Sequence, residues 1–328
     1  MSDLRIAATI PIGKTADWVA ITADGVWIGS TGPYAVNEID PATNHVTTVE
    51  LPGHPCAGIA ADSENLWVPL CGDAPKLAKV DLKTRTLSAV FNTGPAGPEG
   101  GVAVGAGSVW MVVDKQGSLA RIDPLSGAVV DVVHLPPGSY NPVFSDGRIW
   151  VSRADGAELT IVDAGAAKVL GSVPVGLHPR FLTAGAGAVW TLNQGDGSLS
   201  RIDEAGSRPV AALQLHTPGP GGDITYADGR VWSTMMKTPL TAVDAAKSVV
   251  LCQWKGAGGD AIGVGHGAIW LTNLTAGTVS RIELSDIPDD CRAEGLDGAA
   301  AALPASVSPA EAANPRREHA AAAGGRSW

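Results

Sequence analysis

The sequence predicts an all-β fold, a seven-bladed β-propeller of four-stranded antiparallel blades closed by the N-terminal strand. Three observations carry that prediction. Tryptophan recurs at Trp27, Trp67, Trp110, Trp150, Trp190, Trp232 and Trp270, at spacings of 40, 43, 40, 40, 42 and 38 residues. The flanking sequence repeats too, as GVAVGAGSVWMVVDKQGSLARID around Trp110 and FLTAGAGAVWTLNQGDGSLSRID around Trp190. A period near 40 residues is that of one propeller blade. Composition agrees: Gly 41 and Pro 23 suit many tight turns, and 17% charged residues suits short, half-buried strands.

The elements of one blade can be justified in order from Gly101 to His134. Val102 and Val104 alternate with small residues, which predicts an innermost strand A. Gly105-Ala106-Gly107 turns the chain into strand B, Val109 to Val112, an apolar run suited to cover on both faces. Lys115-Gln116-Gly117 turns it again into strand C, Ser118 to Ile122. Asp123-Pro124 opens the next turn, where an aspartate accepts local N–H groups, and strand D follows at Val129 to His134. The acid closing strand C recurs at Asp40, Asp81, Asp123, Asp163, Asp203, Asp244 and Glu283, with a basic residue two positions earlier at Lys79, Arg121, Arg201 and Arg281. Features repeated in many blades are framework rather than a unique catalytic site, and the tryptophans are expected to fill the gaps between blades.

Blade seven, Gly259 to Glu283, lacks a fourth strand, whereas Leu4 to Ile12 is a strand without a blade. Pairing the two closes the ring and removes both free edges. The propeller is thus expected over residues 1–285, with 286–328 a C-terminal extension. Within the extension, Asp297 to Trp328 is rich in Ala, Pro, Ser and Gly, the composition of a mostly disordered tail.

In a propeller, the start of strand A and the end of strand B share one face, so unique polar residues there form the candidate site. Ten residues before each tryptophan stand Asp17, Ala57, Gly100, Tyr140, Arg180, Gly222 and Asp260, with Trp18, Glu99, Asn141, Phe181 and Asp223 beside them. Blades six, seven and one contribute Asp223, Asp260 and Asp17. Blades four and five contribute Tyr140, Asn141, His178 and Arg180, with Arg153 at the end of a strand B. The carboxylates could hold one divalent cation, Mg²⁺ or Ca²⁺, or act as base. Arg180, Arg153, Asn141, Trp18, Glu99 and Phe181 would hold substrate, and His178 or Tyr140 would move a proton. Channel carboxylates that hold only water, and a His178 that merely orients a turn, are the plainer alternatives. His266, in Gly-His-Gly, reads as a turn residue on the opposite side. No Gly-x-Ser-x-Gly, His-Glu-x-x-His or Cys-x-x-Cys motif occurs.

Four cysteines stand at 56, 71, 252 and 291. The turn at Asp62 to Asn65 places opposing residues at positions summing to 127, so Cys56 and Cys71 should face each other and bond. A Cys252–Cys291 bridge would tie the extension to the ring. Disulfides imply export, while the N-terminus MSDLRIAATIPIG has no visible signal peptide and by itself reads as cytoplasmic. A formal net charge of −10 disfavours nucleic acid and anionic membranes as partners, and the chain is expected to act as a monomer on a small molecule.

With Gly-x-Val-Trp variants in each blade, hairpins such as Gly-Asp-Gly-Ser-Leu-Ser-Arg-Ile-Asp at 195 to 203, and closure by the N-terminal strand, residues 4 to 285 resemble the streptogramin (virginiamycin B) lyase-like propellers. They are also similar to the broader group named for Tyr-Val-Thr-Asn repeats. The resemblance implies a histidine base opening a strand A and a Mg²⁺-binding glutamate ending a strand B, which open a cyclic depsipeptide by elimination. The matching slots here hold Asp17, Tyr140, Arg180 and Asp260, and Ser30, Leu70, Val113, Arg153, Asn193, Met235 and Asn273. None is the histidine or glutamate. The function expected is therefore a lyase or hydrolase at the channel mouth, other than streptogramin lyase. The alternatives are a non-catalytic propeller binding a ligand or peptide, or a scaffold for protein partners.

Overall fold

A computed structural model describes residues 4–72, 76–93, 100–236, 238–255 and 259–288. It forms seven antiparallel sheets arranged as a β-propeller. The blade read above has its strands at Val102–Gly105, Ser108–Val112, Ser118–Ile122 and Val129–His134. The N-terminal strand, Ala8–Pro11, pairs with Thr278–Glu283 of blade seven, so ring closure occurs as expected through a shorter strand. The packed body continues to Ile287, which is buried beside Leu4 and Cys252. The tail from Asp297 to Trp328 lies outside the described residues.

The repeated residues build the interfaces between blades. All seven framework tryptophans are at most 1% exposed, which removes large aromatic surfaces from water at each joint. The basic residue two places before the strand-closing acid lies over the tryptophan of its own blade: Lys79 over Trp67 at 5.3 Å, Arg121 over Trp110 at 5.6 Å, Arg201 over Trp190 at 5.4 Å, Arg281 over Trp270 at 5.2 Å. Each cation then donates into the next blade's outer turn, to Pro124 O, Gly165 O, Ala246 O and Pro41 O respectively. Blade one carries Glu38 at this position and reverses the polarity, receiving Arg85 from blade two. Tryptophan and cation together act as wedge and latch.

The strand-closing aspartates cap turns, as the repeat predicts. Asp40, Asp81, Asp123 and Asp244 accept backbone N–H groups of Ala42, Thr84, Ser126 and Lys247, and those bonds hold their carboxyls below the usual range. The inner hairpins turn through left-handed pairs such as Ala186-Gly187 and His266-Gly267, the geometry of two-residue hairpin loops. His266 is a turn residue whose Nε2 meets Thr22 O at 2.9 Å.

Cys56 and Cys71 are bonded, with Cα atoms 5.7 Å apart. Their register differs from the expectation. The inner strand of blade two is split into His54–Pro55 and Ala60–Ala61. Ala60 opposes Trp67 as the 127 rule requires, but Cys71 opposes His54. Two extra residues between Pro55 and Ala60 shift the register, and the bond links residues offset along the ladder. Cys252 is also disulfide-bonded, and Cys291 lies outside the described residues.

Trp190→Ala should lower unfolding free energy by about 3–5 kcal/mol, the usual cost of emptying a buried aromatic site, in urea denaturation followed by circular dichroism. A change within about 0.5 kcal/mol, as at an exposed position, would contradict the wedge. Cys56→Ser with Cys71→Ser should cost about 3 kcal/mol, the value for a loop of this length; equal melting of the oxidised wild type and the variant would contradict that.

Candidate functional site

Three carboxyl groups expected at the channel mouth come together there. Asp17 lies on Thr15–Ile21 of blade one and Asp223 opens Asp223–Ala227 of blade six. Asp260 precedes Ile262–Gly265 of blade seven, its N–H bonded to Thr272 O. With Trp18, Arg180, Phe181, Gln194, Gly221, Gly222, Met236 and Leu274 they line a cavity of about 200 Å³. A second cavity, of about 180 Å³, lies in the channel and shares Trp18, Phe181 and Asp223 with the first.

Strand irregularities aim these side chains. Register shifts by one residue between Asp17 and Val19, and Trp18 adopts φ 56°. Its N–H bonds the Asp17 carboxylate at 2.8 Å, so the bulge is held by the acid it presents. Register also shifts between Pro179 and Phe181 in blade five. Trp18 and Phe181 then meet edge-to-face at 5.9 Å, and Tyr140 meets Phe181 at 6.2 Å. This aromatic bar joins blade one to blades five and four. Glycine is required opposite it: a side chain at Gly222, at φ 91°, would collide with Thr234 O.

The electrostatics of the acids are unusual. Asp17, Asp223 and Asp260 are half-buried, and the cavity is where their remaining surface lies. Burial, then the negative charges of Asp260 and Asp223, push Asp17 up to about 8, against the pull of the Trp18 N–H; Asp17 also hydrogen-bonds the Asp260 carboxyl. Burial pushes Asp223 up to about 7, although Ile224 and Ile262 donate N–H bonds to it at 2.7 and 3.3 Å. Desolvation and like charge outweigh two backbone donors here. The cluster therefore holds protons near neutral pH and can give or take them.

The other candidates fall in three places. Arg180 lines the mouth cavity and donates to the Tyr140 hydroxyl at 2.9 Å while lying 4.8 Å from its ring centre. Both also line a neighbouring cavity with Asp114, Lys115 and Asp155. Asn141 is a brace: it donates to Gly100 O at 2.8 Å and accepts from Leu182 N at 3.1 Å, joining blades three, four and five. His178 and Arg153 line neither the mouth cavity nor the channel cavity. The exposed His178 ring is fixed by Nδ1 to Ala154 O at 3.1 Å, and Arg153 pairs with Asp155 and Glu158 in its own blade. Glu99 lies outside the described residues.

Gln194, Met236 and Leu274 were missed because the wrong offset was read. In blades five, six and seven strand B ends three residues after the tryptophan, at Asn193, Met235 and Asn273. Asn193 and Met235 point into packed interior, at 0% and 5% exposure. The fourth residue is the first to leave the sheet, and in all three blades it lines the cavity.

No protein-family profile and no curated protein matches the chain. Among solved structures, BamB from Moraxella catarrhalis is similar at 13% sequence identity, with a TM-score of 0.60, over 85% of this chain and 97% of that one. At that identity the likeness speaks to the fold, the β-propeller already described. Among the described residues, no helix is long and apolar enough to cross a membrane.

Because Asp17 and Asp223 hold protons more tightly when folded than the ordinary 3.8, the folded state binds more protons than the unfolded one between about pH 4 and 8. Stability should fall across that window as pH rises. Asp17→Asn, which keeps an acceptor for the Trp18 N–H, should melt several degrees above wild type at pH 8.5, the gap closing by pH 4.5. Parallel pH–melting curves for the two proteins would contradict this.

Proposed function

We propose that the mouth cavity is a small-molecule site whose carboxyl groups work as proton donor and acceptor, making the protein a lyase or hydrolase. The observation that carries this reading is the convergence of Asp17, Asp223 and Asp260 in one cavity, two of them titrating near neutrality. A general acid or base is most effective when its pKa lies near the working pH. Asp17, hydrogen-bonded to Asp260, is the group to hold the proton, and Asp223 the one to accept it. Arg180, stacked on Tyr140, supplies the positive charge that would face an anionic or carbonyl oxygen.

Among the described residues no group of three His, Cys, Asp or Glu side chains is arranged to hold a metal. No step is routed through an ion.

A non-catalytic ligand- or peptide-binding propeller is the second reading. It is favoured by the placement of His178 and Arg153 away from the cavity and by the absence of the lyase's histidine and glutamate from their slots.

Incubation with a small-metabolite mixture, followed by mass spectrometry, separates the two. Wild type should convert a component by gain of one water or by elimination, and Asp17→Asn should lower the rate at least about 100-fold, the lower end for a lost acid–base group. Saturable binding without conversion would select the second reading, and neither binding nor conversion would sink both.

A further inference from the structure

Trp18 is placed unlike the framework tryptophans. It stands at φ 56° inside the strand Thr15–Ile21, whereas the other described non-glycine residues with left-handed backbone lie outside the strands. A bulky side chain is held in that region only at a cost, and the Asp17 carboxylate holds it there through the Trp18 N–H. The ring thereby lies in the wall of both the mouth cavity and the channel cavity, at 7% exposure.

The Trp18 Nε1–H has no hydrogen-bond partner. Four framework indoles do have one: Trp67 donates to Asp62, and Trp110, Trp190 and Trp270 donate to Gly105 O, Gly185 O and Gly265 O. Trp27, Trp150 and Trp232 lack one, but they line neither cavity, whereas Trp18 lines both. The packing of the ring shows which way its N–H faces. A Cβ at Gly58 of blade two would stand 3.6 Å from Trp18 Cε3 and 3.8 Å from Cζ3, so the long edge opposite Nε1 lies against blade two. The N–H edge faces away from blade two, and the mouth cavity is lined, among the described residues, by blades one, five, six and seven. The carboxyls of that wall accept the backbone N–H groups of Trp18, Ile224 and Ile262 rather than the indole. A buried donor without an acceptor is costly, and an indole N–H can only donate.

We infer that the ligand of this cavity carries a carbonyl oxygen that accepts the Trp18 indole N–H, while its apolar part lies against Phe181 and Met236. Phe181 already meets Trp18 edge-to-face at 5.9 Å, and both Phe181 and Met236 line the cavity. This rests on the small-molecule reading of the same cavity and adds the atom by which the ligand is held. Ketones, amides and carboxylates share that oxygen, and the hydrogen bond it makes is the part of recognition that Trp18 supplies.

Acetophenone, benzoate and ethylbenzene are near-isosteric: a neutral carbonyl, a carboxylate and the same skeleton without an acceptor. Each can be titrated into the full chain carrying nitrogen-15 tryptophan, with the indole N–H resonances followed by NMR. Trp18→Phe identifies the Trp18 resonance, or its NOE to Phe181 does so should that variant not fold. Acetophenone or benzoate should move the Trp18 indole proton downfield, saturably, leaving those of Trp27, Trp150 and Trp232 in place. The tighter of the two tells a neutral carbonyl from a carboxylate. Ethylbenzene should bind at least about tenfold more weakly, the worth of one hydrogen bond, without the downfield shift. Trp18→Phe should weaken the carbonyl probe by about the same factor and ethylbenzene by less. Ethylbenzene binding as tightly as both carbonyl probes, or a carbonyl probe bound with the Trp18 proton unmoved, would overturn the acceptor and leave the small-molecule site standing. Failure of all three probes to bind would overturn the inference outright, while turnover of a metabolite by wild type would still support the site.

Discussion

The ring depends on a buried indole at every joint, reinforced in four blades by a cation that reaches past it into the next blade. A four-stranded sheet cannot bury both faces by itself, so each blade is stable only against its neighbours. Trp190 buries its whole side chain at one such joint, and Arg201 covers it before binding Ala246 and Ser248 across the gap. The attraction between guanidinium and indole is small, but it orders the long side chain for its second task at little further entropy cost. Burial supplies the energy and the latch supplies the register. Glu38 shows the same logic inverted: it receives Arg85 across the joint, where the other blades send a cation to a backbone carbonyl.

A ring assembled this way has a consequence at its axis. The wedges fix the blades from outside, so the inner strands are free to depart from regular pairing. They do so at Asp17–Trp18, at Pro179–Phe181 and between Pro55 and Ala60. Beside two of these departures the aromatic bar of Trp18, Phe181 and Tyr140 joins blades one, five and four. The framework tolerates at the mouth what it could not tolerate in a joint: carboxyl groups close enough to raise one another's proton affinity. Such groups lower stability at neutral pH, a cost that a framework joint does not carry.

The period of the tryptophans sufficed for the fold, because burial of seven large aromatics at equal spacing has few geometric solutions. Asp17 and Asp260 could be found by counting ten residues back from a tryptophan and Asp223 by counting nine, since that offset falls near the start of the inner strand in blades one, six and seven. Two features escaped for physical reasons. Bulges add residues to one strand without altering the sequence period, so the register at Cys71 could not be read from the turn at Asp62. The far wall of the cavity was missed because the last strand residue, Asn193, turns inward to Ser198 and Ser200 while Gln194 leaves the sheet. His178 opens a strand as a catalytic residue would, yet its left-handed backbone commits the ring to Ala154.

The resemblance to the lyase-like propellers rests on the repeated parts of the chain that make joints, and the likeness to BamB, at 13% identity, is one of fold. Those parts say nothing about the mouth, since the same wedge and latch will hold a ring around any set of rim residues. The mouth is defined by where its rim acids sit relative to the bulges. Asp17 is at once the acceptor that holds the Trp18 bulge and the carboxyl with the raised proton affinity. Ionisation strengthens that backbone hydrogen bond, whereas protonation relieves the repulsion from Asp260 and Asp223. The two demands oppose each other in a single side chain, so a charge brought into the cavity acts on the proton and on the backbone together. A carboxyl on a regular strand would lack that coupling, so the proton affinity of Asp17 follows from the geometry of its bulge and not from the fold alone.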